Sequence, residues 1–200
     1  DEIGRAIARV QASAGGTDAE QAGVLVLTDM FGGTPANLGV TYVSPQVESV
    51  LGYSPEEWIG GSLWYERLHP EDRERVVTEL HTLMGGNGDV WSEEYRFLRG
   101  DGTYAVLLDR GYVRRDARGV PLSAIGAMMD ITERRRNEEA QRFLSQASAL
   151  LDSSLDPDLT LPGLARLIVP QNADLCRLDL LDEDGASRLV AVAHVVPARG

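Results

Sequence analysis

The chain has 200 residues, 43% of them hydrophobic and 25% charged, an ordinary globular balance for one or two domains. Its net charge is −12 and its basic residues are all Arg, which argues against nucleic acid or an anionic membrane as a general partner. A lone cysteine, Cys176, excludes an internal disulfide framework and a cysteine-rich zinc site, and no apolar run reaches the ~18 residues that a membrane span needs.

Ile3, Ala6, Ile7 and Val10 fall at helical spacing, and Gly15-Gly16-Thr17-Asp18 ends that pattern. Gly23 to Thr28 is an apolar run of the kind a buried strand shows, and it runs into the glycine-rich Asp29 to Asn37. Val40 to Val43 reads as a short strand. Ser44-Pro45 and Ser54-Pro55 each place a capping residue before a proline, which predicts two short helices joined through Gly52-Tyr53. The longest helix of this region is expected from about Glu71 to Leu83, with Val76, Val77, Leu80 and Leu83 on one face, stopped by Gly85-Gly86-Asn87-Gly88.

Three β-rich runs follow: Glu94 to Leu98, Thr103 to Val113 and Leu122 to Met129. Turn clusters at Arg99-Gly100-Asp101-Gly102 and Arg115 to Gly119 separate them. The third run passes through Asp130-Ile131-Thr132 directly into a helix that reads to Ser154. Ala140, Phe143, Ala147 and Leu150 recur on it at coiled-coil spacing, which predicts a homodimer through residues 134–154; the plainer reading is a helix that packs back on its own domain. Asp156-Pro157 breaks the helix. Another is expected from Leu159 to Val169, with Pro162-Gly163 in its first turn or kinking it, followed by strands at Ala173 to Leu181 and Leu189 to Val196.

The order of these elements, with Gly52-Tyr53-Ser54-Pro55-Glu56-Glu57, His69-Pro70-Glu71-Asp72-Arg73 and Asp130-Ile131-Thr132, resembles the PAS sensor family over about residues 40–133. The resemblance implies an α+β fold: a five-stranded antiparallel sheet with helices on one face, then a C-terminal signalling helix. It implies a small-molecule pocket drawing on Trp58, Trp64, Leu80, Tyr95, Phe97, Leu107, Ile125 and Met128, positions that serve equally well as plain core. It also implies a relay junction in which Asp130, with Ile131 and Thr132, anchors the exit of the last strand by pairing with Arg99. Residues 157–200 resemble the opening of a GAF domain, which would be incomplete and poorly stable alone. Residues 1–38 resemble a piece of a mannose-type phosphotransferase IIA domain, with Asp29, Gly32, Gly33, Thr34 and Asn37 at phosphate-loop positions but no matching phosphorylated His. The plainer reading makes residues 1–39 the first strand and hairpin connection of the sensor fold.

No catalytic constellation is present: His69, His81 and His194 lie in unrelated contexts, with no nucleophile beside any of them. His69 is expected to support the long helix. A photocycling flavin needs a Cys that the sensor segment lacks, and His81 sits too near the terminating glycines for the family's haem position. Neither cofactor is expected, nor is a metal site.

The expected organisation is an N-terminal segment 1–39, a sensor domain 40–133, a helical linker 134–156 and a partial domain 157–200. The chain begins at Asp1 and stops at Pro-Ala-Arg-Gly, which reads as a piece of a longer protein. The expected role is signal sensing and relay in the cytoplasm, inside a multidomain bacterial sensor kinase or phosphatase-type regulator. A ligand-free dimerisation module and a sugar phosphotransferase component are the rivals.

Overall fold

The computed structural model describes residues 39–86, 88–154, 156–169, 173–181 and 184–195, together with the backbone of Val24–Asp29. The expected N-terminal helix and the phosphate-loop residues Gly32, Gly33, Thr34 and Asn37 lie outside the described residues. The chain divides into two compact units that part between Glu133 and Arg134.

The first unit is built on long antiparallel strands. β3 (Val90–Leu98), β4 (Tyr104–Arg115) and β5 (Pro121–Asp130) pair in sequence order. β1 (Val24–Asp29) pairs antiparallel with β5 and with β2 (Gly39–Val43), so the strand order is β2-β1-β5-β4-β3. Gly102 and Gly119 sit in the two tight turns at φ 85° and 83°, the left-handed region that glycine enters without strain.

Between β2 and β3 the chain makes three short helices and one long one. These are α1 (Gln46–Leu51), α2 (Pro55–Trp58), α3 (Leu63–Arg67) and α4 (Pro70–Gly85). Ser54 behaves as expected: its N–H donates to the Glu57 carboxylate at 2.7 Å, with Pro55 opening α2. Ser44 does not. Pro45 is the residue that flanks α1, without a side-chain cap, because the turn closes through backbone instead, Val47 N–H to Ser44 carbonyl at 3.1 Å. His69 caps α4, its Nδ1 accepting from the Glu71 N–H at 3.3 Å.

Side-chain alternation along the strands sends one set of residues toward these helices. Phe97, Ala105 and Leu107 are fully buried there, packed with Val47, Leu51, Trp58 and Leu68. Trp58 stacks on Phe97 at 5.5 Å between ring centroids, and Tyr53 meets the same ring edge-on. This is a PAS-like α+β arrangement: an antiparallel sheet with helices packed on one face. Of the expected α4 face, Val76 is buried, while Val77, Leu80 and Leu83 are half-buried.

The unit boundary falls inside α5 (Thr132–Ser153). The second unit continues with α6 (Pro157–Ile168) and a hairpin of β6 (Leu175–Leu181) and β7 (Ser187–His194). Pro157 takes the first turn of α6 and Asp156 caps it, accepting from the Asp158 N–H at 2.9 Å, so Pro162 lies inside the helix. Ala165, Val169, Cys176 and Ala191 form its small core, and Leu159, Leu175, Leu181, Leu189 and Val192 remain exposed.

Candidate functional site

The helix-facing side of the sheet does not close over its whole length. Beyond Phe97 and Leu107 a cavity of about 550 Å³ opens between α4, the short helices and strands β3 to β5. Trp58, Trp64, Val76, Leu80, Trp91, Tyr95 and Met128 supply its apolar and aromatic walls. Its size is that of a small-molecule site.

Two glycines shape the cavity. Trp91, Gly111 and Gly126 stand side by side on β3, β4 and β5. The Trp91 indole reaches across the other two: a Cβ on Gly111 would come within 2.3 Å of its ring, and one on Gly126 within 2.7 Å. Glycine in the interior of two adjacent strands is unfavourable for a sheet, and here it makes room for the ring.

So placed, the Trp91 indole N–H donates to Asp109 Oδ1 at 3.0 Å. The Tyr95 hydroxyl donates to Asp109 Oδ2 at 2.8 Å and accepts from the Trp64 indole N–H at 3.0 Å. A carboxylate thus sits in the cavity wall, held by two aromatic donors. Among the described residues no basic side chain pairs with it. Burial pushes its carboxyl up to about 6, against the pull of the Trp91 and Tyr95 hydrogen bonds and with help from Glu93 directly across the strand pair. Tyr95 is raised as well, first by burial and then by the charge of Asp109.

At the cavity edge, Glu93 on β3 meets Glu79 on α4, and Arg75 bridges them at 2.6 Å and 3.5 Å. Glu79 is raised, first by its hydrogen bond with Glu93. Arg115, at the end of β4, closes the far corner. It donates to the α4 carbonyls of Leu83 at 2.8 Å and Met84 at 3.4 Å, and pairs with Asp89 at 3.0 Å.

The expected pocket residues therefore divide. Trp58, Trp64, Leu80, Tyr95 and Met128 line the cavity. Phe97 and Leu107 belong to the solid core beneath it, with no exposed surface. Ile125 is corrected: its neighbours Ala124 and Gly126 line the cavity, so alternation along β5 puts Ile125 on the other face of the sheet. Trp91, Asp109, Glu79, Glu93 and the two glycines were missed. Asp109 carried a signal, since it occupies the same phase of β4 as the buried Ala105, Leu107 and Val113. His81 is exposed and outside the cavity, and Cys176 is buried in the second unit.

At the C-terminal end of β5 the last strand is tied to α5. Arg99 and Asp130 form an ion pair. Asp130 also accepts from the Thr132 N–H at 2.9 Å, and the Thr132 hydroxyl accepts from the Val106 N–H at 2.9 Å. The Ile131 N–H donates to the Val106 carbonyl, and Ile131 and Thr132 are both buried. Burial raises the Asp130 carboxyl, but the hydrogen bonds from Thr132 and Arg99 more than reverse this and hold it below its ordinary value.

The family model for the PAS fold matches residues 40–128, the span from β2 through the cavity to the end of β5. Residues 40–128 are a PAS domain. The N-terminal domain of a diguanylate cyclase with PAS/PAC sensor from Marinobacter aquaeolei is 29% identical at a TM-score of 0.50, covering 57% of this chain and 99% of that one. A sensory box histidine kinase/response regulator from Burkholderia thailandensis shares the fold at 24% identity and a TM-score of 0.50, covering 71% of this chain and 93% of that one. The methyl sulfide methyltransferase-associated sensor of Methanosarcina acetivorans is 32% identical over 159 residues, 72% of this chain. The two-component sensor PprA of Pseudomonas aeruginosa is 30% identical over 135 residues, 62% of this chain. The chain spans only 15% and 14% of these two relatives. Among the described residues no helix is long and apolar enough to cross a membrane.

Proposed function

We propose that this chain is the sensing and relay module of a larger bacterial signal-transduction protein, a sensor histidine kinase or a phosphatase-type regulator acting in the cytoplasm. The observation that carries the reading is one strand, β5, serving two sites. Its Gly126 and Met128 line the cavity, and its last residue, Asp130, is locked to Arg99 and Thr132 at the start of α5. A ligand that shifts Gly126 and Met128 moves a strand whose last residue, two positions on, is Asp130, and the strand passes the change to the helix. The naming of the relatives as sensors supports the same role.

In this reading α5 is the output helix and pairs with a second copy of the chain. Of the expected seam, Ala140 is exposed and Phe143, Ala147 and Leu150 are half-buried, Leu150 against Gly163 of the same chain, while Leu144 and Leu151 are exposed. That seam also favours the second reading, a dimerisation and relay module without ligand. Helix α6 and the β6–β7 hairpin support the reading of residues 157–200 as the first part of a GAF domain.

Native mass spectrometry of the purified chain, repeated after denaturation, tests these readings. A dimer carrying an extra mass that denaturation releases supports the sensor. A clean dimer favours the ligand-free relay, and a monomer removes α5 as a dimer seam.

A further inference from the structure

An anion drawn out of water is costly unless it is paired. Asp109, half-buried among aromatic side chains, is such a group. Its two hydrogen bonds come from Trp91 and Tyr95, both neutral, and a carboxylate offers about four acceptor positions, so half its capacity is unspent. The side chain lies in a cavity wall where the rings of Trp91 and Tyr95 hold it and the Trp64 indole bonds in turn to Tyr95.

The charged groups around it do not neutralise it. Glu93, opposite on β3, adds like charge, while Glu79 from α4 is engaged with Glu93 and Arg75. Arg75, also on α4, is engaged by Glu93, by Glu79 and by the Glu94 carbonyl at 2.7 Å. The cavity strand of β5 contributes Gly126 and Met128, which carry no charge. Aromatic faces attract cations, and a carboxylate aimed at the same space supplies the counter-charge and the hydrogen-bond acceptor.

We infer that the cavity is a receptor for a small organic cation, a primary or secondary amine on an aromatic or aliphatic body, with Asp109 as the counter-ion and the surrounding indoles as its cage. This rests on the sensor reading above and gives the signal a chemical class. The two acidic residues at the cavity edge outnumber the single Arg75 between them, which favours entry of a cation.

The test uses the full chain and three matched pairs of probes: benzylamine and benzyl alcohol, phenethylamine and phenethyl alcohol, tryptamine and tryptophol. Binding is followed by calorimetry and by the Trp91 indole N–H resonance. At least one amine is expected to bind about tenfold more tightly than its alcohol, a preference that Asp109→Asn abolishes. A second readout needs no variant. Affinity for the amine should fall as pH drops through about 6, where Asp109 takes up its proton, and affinity for the alcohol should stay flat. Equal binding of amine and alcohol, or an amine affinity indifferent to both Asp109→Asn and pH, overturns the inference and leaves the cavity reading standing. Binding of no probe of either kind overturns both.

Discussion

The indole of Trp91 donates to Asp109 at 3.0 Å only because Gly111, two residues along the strand from Asp109, leaves the ring a bare backbone to lie on. The same β4 strand thus supplies the acceptor and the space. A methyl group at Gly111 would come within 2.3 Å of the ring and of the Ile125 carbonyl, so both neighbours must move. Gly111→Ala should destabilise the domain by about 1–3 kcal/mol in urea unfolding. It should also move the Trp91 indole resonance, and an unchanged resonance would rule out the stacked placement.

Asp109 and Asp72 should give stability two opposite slopes with pH. The folded state holds the Asp109 proton up to about 6, above the ordinary carboxyl value of 3.8. Folded protein therefore binds more protons than unfolded between those values, and stability falls as pH rises through that window, by up to roughly 3 kcal/mol. Asp109→Asn should flatten that decline.

Asp72 behaves the other way. Arg96 holds it with two side-chain hydrogen bonds, Nε to Oδ2 at 2.8 Å and Nη2 to Oδ1 at 2.9 Å, and with its backbone N–H, keeping the carboxyl at about 2. Its contribution is present above about 4 and is lost as pH falls toward 2, roughly 2 kcal/mol at most. Asp72→Asn should remove the acid-side loss and leave the slope near pH 5 untouched. Thermal denaturation of the three proteins across pH separates the two groups.

Asp130→Ala should leave the PAS domain folded and loosen its hold on α5. The pair with Arg99 is partly exposed, so its loss should cost about 1–3 kcal/mol, less than a fully buried pair. Hydrogen exchange should quicken at Thr132 and the first turns of α5 while β3 and β4 keep their protection. Collapse of near-ultraviolet dichroism in this variant would count against a junction role.

Arg115→Met should fray the end of α4. The Arg115 guanidinium satisfies carbonyls of the last turn and places positive charge at the helix C-terminus. Its removal should cost about 1–2 kcal/mol and open the cavity corner formed by Leu83, Met84 and Gly86. Faster exchange confined to the last turn of α4 is the expected signature, and unchanged exchange there removes Arg115 as its cap.

The helix and strand order and the proline-led helix starts were legible because each is a local pattern, whereas the Arg99–Asp130 pairing, between residues 31 apart, came only from the family resemblance. Glycine turns, alternation and Asp-Ile-Thr are written in a few consecutive letters. The cavity was legible only in part. Trp64 and Tyr95 came from the family resemblance, whereas Ile125 was put on the wrong face and Trp91 was passed over. Counting the phase of β4 and β5 outward from their buried residues would have turned Ile125 away and brought Asp109, Gly111 and Gly126 forward together.

The letters alone determined that strands and helices of this kind must form, and that the last strand runs into a helix through a carboxylate. Those outcomes follow from backbone propensity, side-chain period and hydrogen bonds between near neighbours. Only the tertiary structure decided that Trp91 crosses Gly111 and Gly126, that Asp109 faces an aromatic cavity, and that its negative charge goes unmatched. Each of these depends on the register between strands distant in sequence and on how far α4 stands off the sheet. Register sets which side chains meet, and burial sets what a charge costs. Neither is a property of any one stretch of chain.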